Sequence, residues 1–283
     1  MKKHLQVLFI AVVSILTTAC GQQKAEPAVA TTPAAPAQMA SKVAPEPTKS
    51  HSCELKVGFD VWEPYQYIGL GREVQGLDIE LIQMVAERLN CGVKYQQDSW
   101  GNLLTLLKSG KIDLVLGASI TDERKTYALF SEPYRSEEFL LYIRAEQEHK
   151  FRQASVVDFV LDGNKLGTIG EYFYGDELSS LMDDQKYGKS FYPAFMGEIN
   201  LARLLDGDID GFLEDSFVGA SLVRRKGLEK YITPHQAKIS TGDVYVMFSR
   251  VSVKAQVVSD FNQALGELKN NGEYDKLVNK YSQ

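Results

Sequence analysis

The chain has 283 residues and a formal net charge of −6, with 31 basic against 37 acidic side chains. Its longest basic run covers only residues 224–226, so it has no obvious basic face for phosphate binding, and we expect no nucleic-acid partner. Four histidines are scattered along the chain, and neither CxxC nor HExxH occurs. The sequence therefore predicts no metal site, and we likewise expect no cofactor.

The chain begins with a segment typical of export. A basic start precedes an apolar run over residues 5–16, which is too short to cross a bilayer as a mature helix. Small residues then lead to Cys20, so residues 1–20 resemble a bacterial lipoprotein signal peptide. That resemblance implies a lipidated Cys20 that anchors the protein to a membrane of the cell envelope. Leu16 lies four residues before the cysteine, where the pattern prefers an aliphatic residue three before, so an ordinary signal peptide stays open.

Residues 21–51 are rich in Ala, Pro and Thr and contain few aliphatic side chains. This composition cannot bury a core, so it predicts a disordered tether. Fully extended at about 3.1 Å per residue, the segment would reach on the order of 90 Å. The chain from Ser52 onward is long enough for two lobes of ordinary domain size.

From Ser52 onward, apolar patterns alternate between strand and helix periods. The first half predicts a β-α-β-α-β half of a parallel sheet, with Asp78 as the N-cap of its first helix. These elements are strand 55–59, helix 78–90, strand 93–96, helix 100–109 and strand 112–116. The later strands are predicted at 139–143, 166–169, 190–192, 209–213 and 244–248, and the later helices at 176–182, 197–206, 217–225, 253–269 and 273–281.

Two stretches are rough copies of each other, LLKSGKIDLVLGAS at residues 106–119 and LLDGDIDGFLEDS at residues 204–216. An echo at this spacing predicts two similar α/β lobes rather than a solenoid of short repeats. We expect Asp113 and Asp210 to be structural in both copies, at the starts of the strands. Lobe 1 is then assigned to residues 52–141 and 245–283, and lobe 2 to residues 142–244. The two crossings would let the lobes hinge.

The ends of the two copies carry opposite chemistry. Ser119 and Arg124 follow the strand of the first copy, whereas Glu214 and Asp215 follow the strand of the second. Ligands of open α/β sheets bind beyond the carboxyl ends of the strands. Two facing lobes would therefore hold a cation and a carboxylate across one cleft, which is a cage for a zwitterion.

Cys53 and Cys91 each precede a predicted strand, with one helix between them. In a right-handed βαβ unit the starts of such strands lie side by side, within reach of a disulfide. An oxidising compartment favours the bond. A pair of buried free thiols is the alternative.

Three segments together resemble one known family. They are residues 110–125 (GKIDLVLGASITDERK), residues 130–134 (FSEPY) and residues 76–81 (GLDIEL). The chain is similar here to the bacterial extracellular solute-binding proteins of family 3, the polar amino-acid receptors of ABC importers. The resemblance covers nearly everything after Ser52. It implies an α/β fold of the two-lobed type II periplasmic-binding-protein class, a monomer in the periplasm or cell envelope, an amino-acid ligand and an ABC permease as partner.

The resemblance also implies the roles of individual residues. The arginine at Arg124 would bind the ligand's α-carboxylate, helped by Ser119 and the backbone amides around Ala118. The aspartate at Asp215 would bind the α-ammonium group, together with a carbonyl near Gly117. The indoles of Trp62 and Trp100 would sandwich the ligand side chain. Other roles stay open, because an arginine is more often a solvated surface residue, an aspartate is as often a helix N-cap, and tryptophans are often core residues.

One segment departs from the family pattern. Where many members have Gly-Thr-Thr or Gly-Ser, this chain has Gly-Glu-Tyr at residues 170–172, and the Glu171 carboxylate cannot donate a hydrogen bond to a ligand carboxylate. Both Glu171 and Tyr172 are candidates for the ligand site. Together with Asp60 they are part of an acidic and tyrosine-rich set that favours a cationic amino acid. Glu63 and Glu138 belong to the same acidic set.

We expect a binding protein and no enzymatic activity. An alternative is a dehydratase-like enzyme on the same fold, in which Glu171 or Asp60 transfers a proton. A second alternative is a ligand-sensing module that contacts a membrane sensor.

Overall fold

The computed structural model describes residues 51–281, which lie in one compact unit, Lys49–Gln283. The predicted signal peptide with Cys20 and residues 21–50 of the predicted tether lie outside the described residues. The strands are β1 Cys53–Phe59, β2 Tyr67–Ile68, β3 Val74–Gln75, β4 Cys91–Gln97, β5 Leu114–Ala118, β6 Ala128–Phe130, β7 Arg135–Arg144, β8 Leu166–Ile169, β9 Phe191–Ala194, β10 Gly211–Asp215 and β11 Ile232–Ser249. The helices are α1 Leu77–Arg88, α2 Trp100–Lys108, α3 Asp122–Lys125, α4 Val156–Leu161, α5 Asp176–Met182, α6 Gly197–Asp206, α7 Ser216–Arg225, α8 Ala255–Asn270 and α9 Glu273–Tyr281.

The strands form two parallel half-sheets joined through a central antiparallel pair. The order is β4-β1-β5-β11-β7-β10-β8-β9, and β6 also pairs with β11. Strands β4, β1 and β5 are parallel, as are β10, β8 and β9. The 18-residue strand β11 pairs with β5 near its end and with β7 along most of its length. The antiparallel pair of β7 and β11 therefore lies between the two half-sheets, and the assignment of two chain crossings near residues 141–144 and 241–245 stays a prediction.

Each half-sheet has apolar side chains packed on both faces. On lobe 1, one cluster includes Val57, Ile82 and Phe261, and a second includes Leu103 and Met247. On lobe 2, the corresponding clusters are built around Phe139 and Phe159 on one face and around Leu204 and Phe212 on the other. Parallel sheets are buried on both faces, and here the helices provide the cover. The fold is α/β with two lobes, whereas the boundaries at residues 141 and 245 remain a prediction.

The two similar stretches, residues 106–119 and 204–216, make matching contacts in the structure. The Asp113 carboxylate accepts a hydrogen bond from the Lys56 backbone N–H at 2.8 Å, and the Asp210 carboxylate accepts one from the Lys165 backbone N–H at 2.8 Å. Both aspartates therefore tie the start of one strand to its parallel neighbour. The structural role expected for the two residues is confirmed.

The predicted disulfide is present. Cys53 and Cys91 lie opposite each other in the parallel pair β1 and β4, with a Cα–Cα distance of 4.6 Å, and their sulfur atoms are bonded. The prediction that adjacent strand starts bring these cysteines together is confirmed.

The predicted cap of α1 is wrong. Gly76 is the N-cap residue, with φ of 127°. A side chain at this position would collide with the Tyr65 carbonyl, because a Cβ would lie 2.2 Å from that oxygen. Asp78 is buried in the first turn and faces the Arg135 guanidinium at 3.5 Å. Its carboxylate therefore neutralises a buried cation instead of capping the helix.

Candidate functional site

A cleft lies where the ends of β5 and β8, the loop after β1 and the start of α2 converge. Only about 30 Å³ of it is open to the centre of a water molecule, so the cleft is nearly filled by its own side chains. The lining residues are Asp60, Trp62, Gln66, Trp100, Leu116, Gly117, Ser119, Arg124, Glu137, Phe139, Tyr172 and Phe173. Six of the predicted site residues are in this set, together with Tyr172 from the departing segment. Ala118, Glu171 and Asp215 are not in it.

Arg124 is held at the cleft by a one-turn helix. The Thr121 hydroxyl accepts a hydrogen bond from the Arg124 backbone N–H, which caps α3. The guanidinium donates to the Ser119 carbonyl at 3.0 Å and to the Glu171 carbonyl at 2.7 Å. It also lies over the Trp100 ring, 5.4 Å from its centre. Arg124 is 6% exposed, which excludes the reading as a solvated surface residue.

The end of β5 brings the backbone close to a second cation, Arg135. Gly117 has φ of 73°, and a Cβ there would lie 3.1 Å from the Arg135 guanidinium and 3.3 Å from the Trp62 ring. Only glycine fits that space without strain. Ala118 packs into the second lobe 1 cluster, so only its backbone is available to a ligand. Ser119 is buried and lines the cleft.

The two tryptophans face the cleft, and each donates a hydrogen bond to lobe 2. Trp62 Nε1 donates to Glu214 Oε1 at 3.2 Å, and Trp100 Nε1 donates to the Glu171 carbonyl at 3.1 Å. The Tyr172 ring lies edge-on to both indoles, with centroid distances of 6.1 Å and 6.0 Å. A side chain of the protein itself thus contacts both indoles that were predicted to sandwich a ligand.

Asp60 lies at the start of α2. Its carboxylate accepts hydrogen bonds from the Trp100 backbone N–H at 3.2 Å and from the Val61 backbone N–H at 2.7 Å. Desolvation raises the pKa of Asp60 to about 6, although these two hydrogen bonds oppose the shift. The group is a half-buried acid of the cleft wall.

Asp215 caps a helix. Its Oδ1 atom accepts hydrogen bonds from the backbone N–H groups of Phe217 at 2.9 Å and Val218 at 3.2 Å. Its Oδ2 atom is buried without a hydrogen bond of ordinary geometry, although the Tyr65 side chain lies nearby. Burial raises the pKa of Asp215, and the charge of Arg135 opposes that shift. The N-cap reading is correct, and the ligand-binding role stays a prediction that depends on Oδ2.

Two further buried glutamates lie near the cleft. The sequence did not single out Glu137, and it placed Glu214 beside Asp215 at the second strand end without giving it a ligand contact. Glu137 accepts a hydrogen bond from the Thr241 hydroxyl at 2.9 Å, and desolvation raises its pKa to about 7. Glu214 is 2% exposed, and desolvation raises its pKa to about 8 against the opposing hydrogen bond from Trp62. The strand period could have identified Glu137, because residues 135, 137 and 139 alternate onto one face of β7.

Two acids that the sequence grouped with the cleft have other partners. Glu138 points to the opposite face of β7 and pairs with Lys238 at 2.7 Å. Glu63 pairs with Arg225 at 3.2 Å, which links the loop after β1 to α7. Their carboxylates are therefore already neutralised.

Arg135 is a buried cation that the sequence did not single out. Its guanidinium stacks on the Tyr65 ring at 3.9 Å and lies 5.1 Å from the centre of the Trp62 ring. Glu137 interacts with both Arg124 and Arg135, and Asp215 interacts with Arg135, while Asp78 already pairs with Arg135. Asp60 and Glu214 are two further acids with no arginine among their main interactions. Acidic groups thus outnumber cations around the cleft. In the range 51–281 no cluster of three His, Cys, Asp or Glu side chains is arranged to hold a metal ion.

Comparison with known proteins identifies the family. The profile of the bacterial extracellular solute-binding proteins, family 3, matches residues 55–283. The chain belongs to this family. In this family 3 protein, no helix among residues 51–281 is both long and apolar enough to cross a membrane.

Individual relatives of this family 3 protein are distant. A protein of Neisseria gonorrhoeae named "Probable histidine-binding protein" is 27% identical over 225 residues, which covers 77% of this chain and 78% of the relative. The arginine-binding extracellular protein ArtP of Bacillus subtilis is 25% identical over 286 aligned positions, covering 99% and 98%. A solved histidine kinase sensor domain, described as similar to periplasmic binding proteins, superposes with a TM-score of 0.71 at 20% identity, covering 82% of this chain and 96% of that domain.

Proposed function

We propose that this protein captures a polar amino acid, with a preference for a cationic one, between its two lobes and delivers it to an ABC importer. The observation that carries the proposal is the distribution of charge around the cleft. Arg124 comes from lobe 1, whereas Asp215 comes from the end of a lobe 2 strand, and both are buried. Opposite charges on separate lobes suit a ligand that carries both.

In this proposal Arg124 binds the ligand α-carboxylate through its planar fork of donors. The Ser119 hydroxyl and the backbone near Gly117 and Ala118 would add further polar contacts. Asp215 Oδ2 is the acceptor for the α-ammonium group, because it is the carboxylate oxygen without a hydrogen bond of ordinary geometry. Bringing a cation to that oxygen would replace the hydration that the group loses on burial.

The preference for a cationic ligand rests on the surplus of acids. Desolvation by burial raises the pKa values of Glu137 and Glu214, and the charge of Arg135 opposes the shift of Glu137. A guanidinium or ammonium side chain in the cleft would stabilise the ionised form of these acids, and the indoles would stack on it. The names of the relatives, which bind arginine or histidine, agree with this preference.

Two other functions have weaker support. The likeness to a histidine kinase sensor domain keeps a sensing role as a second candidate, in which the closed form contacts a membrane sensor. The dehydratase alternative would rely on Asp60, whose pKa is raised to about 6, but the relatives are named as binding proteins.

The location of the protein is part of the proposal. We propose a monomer in the periplasm or cell envelope, held at the membrane by a lipid on Cys20 and a tether over residues 21–51. Labelled palmitate should enter the wild-type protein and fail to enter the Cys20→Ala variant. Equal labelling of the two proteins would contradict a lipid anchor on Cys20.

Native mass spectrometry and titration calorimetry test the ligand. Protein purified without refolding should carry a bound amino acid, and the stripped protein should bind arginine, lysine or histidine more tightly than glutamine or glutamate. Binding of glutamate with no binding of arginine would contradict the cationic preference. Turnover of a prephenate-like substrate would favour the enzyme instead.

A further inference from the structure

The turn after β8 has an unusual conformation that lobe 2 holds in place. Glu171 has φ of 64°, a left-handed value that is uncommon for a residue other than glycine. The Gly170 N–H donates to the Ala194 carbonyl at 2.9 Å, and the Ile169 N–H donates to the Tyr174 hydroxyl at 2.9 Å. These bonds on both sides of Glu171 direct its carbonyl toward lobe 1.

The Glu171 carbonyl receives two donors from lobe 1. Arg124 Nη2 donates to it at 2.7 Å and Trp100 Nε1 donates to it at 3.1 Å. An oxygen that accepts from a guanidinium and an indole N–H has the surroundings of a bound carboxylate oxygen. The backbone carbonyl therefore occupies Arg124, the donor that the proposed function assigns to the ligand carboxylate, and it also accepts from Trp100, whose ring the proposed function assigns to the ligand side chain.

The next side chain makes the matching apolar contacts. Tyr172 lies edge-on to Trp62 and Trp100, and its ring centre is 6.4 Å from that of Phe139. It packs against both lobe 1 clusters and against one lobe 2 cluster. Edge-on aromatic pairs at these distances are attractive. The ring thus joins the two lobes through the part of the cleft where a ligand side chain would stack.

We propose that the Glu171–Tyr172 turn is an internal occupant of the amino-acid site and that Tyr172 determines which ligands can displace it. The carbonyl holds the carboxylate-binding donors and the ring contacts both tryptophans, so the turn closes the lobes by itself. A ligand must replace both contacts in order to bind. Ligands with a carboxylate and a flat or cationic side chain can do so, whereas small apolar amino acids cannot. The identity of these ligands rests on the proposed function, but the closure by the turn does not.

Small-angle X-ray scattering of the mature chain, stripped of ligand by unfolding and refolding, tests the closure. The wild-type protein should have the same radius of gyration with and without arginine. The Tyr172→Ala variant should be larger without arginine, whereas Tyr172→Phe, which keeps the ring, should match the wild type. Tyr231→Ala is the matched control, because Tyr231 is 62% exposed. An unchanged radius in Tyr172→Ala would overturn the proposal.

A second variant covers the case in which Tyr172→Ala does not fold. Trp100→Phe removes the indole donor to the Glu171 carbonyl and keeps an aromatic ring beneath Arg124. It should also enlarge the ligand-free protein, and a wild-type radius in this variant would contradict the role of the carbonyl.

Tryptophan fluorescence tests the competition. The chain has two tryptophans, and both contact Tyr172, so their emission reports on the cleft. Tyr172→Ala should bind arginine at least about tenfold more tightly than the wild type, since closure no longer has to be undone. Weaker binding would overturn the proposal, because Tyr172 would then be a ligand contact. If none of the proteins binds an amino acid, the proposed function fails. The scattering experiment still tests whether the Glu171–Tyr172 turn closes the lobes, because it compares ligand-free proteins.

Discussion

Replacing Glu214 by glutamine should change how the stability of the protein depends on pH. Glutamine has nearly the same shape, and its side-chain oxygen can still accept from Trp62 Nε1 and from the Asp215 N–H, both at 3.2 Å in the wild type. The substitution therefore removes a titrating group from a buried position and keeps its hydrogen bonds.

The sign and the size of this pH dependence follow from the raised pKa of Glu214. Burial raises the pKa of Glu214 from 4.5 to about 8, so the folded chain binds this proton more tightly than the unfolded chain. Its favourable contribution is complete below the unfolded pKa and is lost as pH rises toward the folded pKa. At about 1.4 kcal/mol per pKa unit, the wild type should lose about 2 to 3 kcal/mol of unfolding free energy between pH 5 and pH 7 from this group. The Glu214→Gln variant should not lose it.

Urea unfolding at several pH values measures this difference. Asp60 and Glu137 also have raised pKa values, so the wild-type profile contains several groups and only the difference between the two proteins isolates Glu214. The unfolding free energy of the variant, relative to that of the wild type, should increase steadily as pH rises. Glu177→Gln, at an exposed position of α5, is the control and should follow the wild-type profile. A constant offset between Glu214→Gln and the wild type would refute the assignment of a buried, protonated Glu214.

Three further predictions concern the cage and the disulfide. Arg124→Ala should weaken amino-acid binding by several tens of fold in calorimetry, since truncating one partner of a buried charge pair costs about 2 to 5 kcal/mol, whereas Arg152→Ala, at an exposed position, should leave the dissociation constant unchanged. Asp215→Asn keeps an oxygen for the cap of α7 and removes the charge, so binding should fall at least about tenfold while urea unfolding changes by less than about 1 kcal/mol; equal affinity would exclude Asp215 from the site. Replacing Cys53 and Cys91 together by serine should lower the unfolding free energy by about 4 kcal/mol in the chain-entropy estimate for a crosslink across 38 residues, and no loss would mean that the bond does not form in solution.

The sequence predicts best those elements that carry their own end signals. Helices α5, α6 and α9 begin and end where predicted, because glycines mark their boundaries and their apolar spacing is regular. Helix α4 and the short strands β2, β3 and β6 were not predicted. The first part of β11 was also missed, because residues 232–240 are mostly polar and form a strand through pairing with β7. That pairing is a tertiary interaction with no local signal.

The sequence predicted the cation and the two tryptophans that line the cleft. Arg124, Ser119, Trp62 and Trp100 line one cleft because strand ends in parallel sheets converge at one edge. The buried acids were harder to identify. Glu137 and Glu138 are neighbours in sequence, and only the register of β7 decides that Glu137 faces the cleft and Glu138 faces Lys238. The position of Tyr172 depends on how the lobes meet, which no local pattern encodes.

The most direct test of the whole account is a crystal structure of the protein with L-arginine. The account predicts that the ligand carboxylate lies within hydrogen-bond distance of the Arg124 guanidinium, in place of the Glu171 carbonyl, and that the α-ammonium group contacts Asp215 Oδ2. A complex in which arginine binds away from Arg124, or in which Arg124 still donates to the Glu171 carbonyl, would contradict the proposal that opposite charges on the two lobes hold one amino acid.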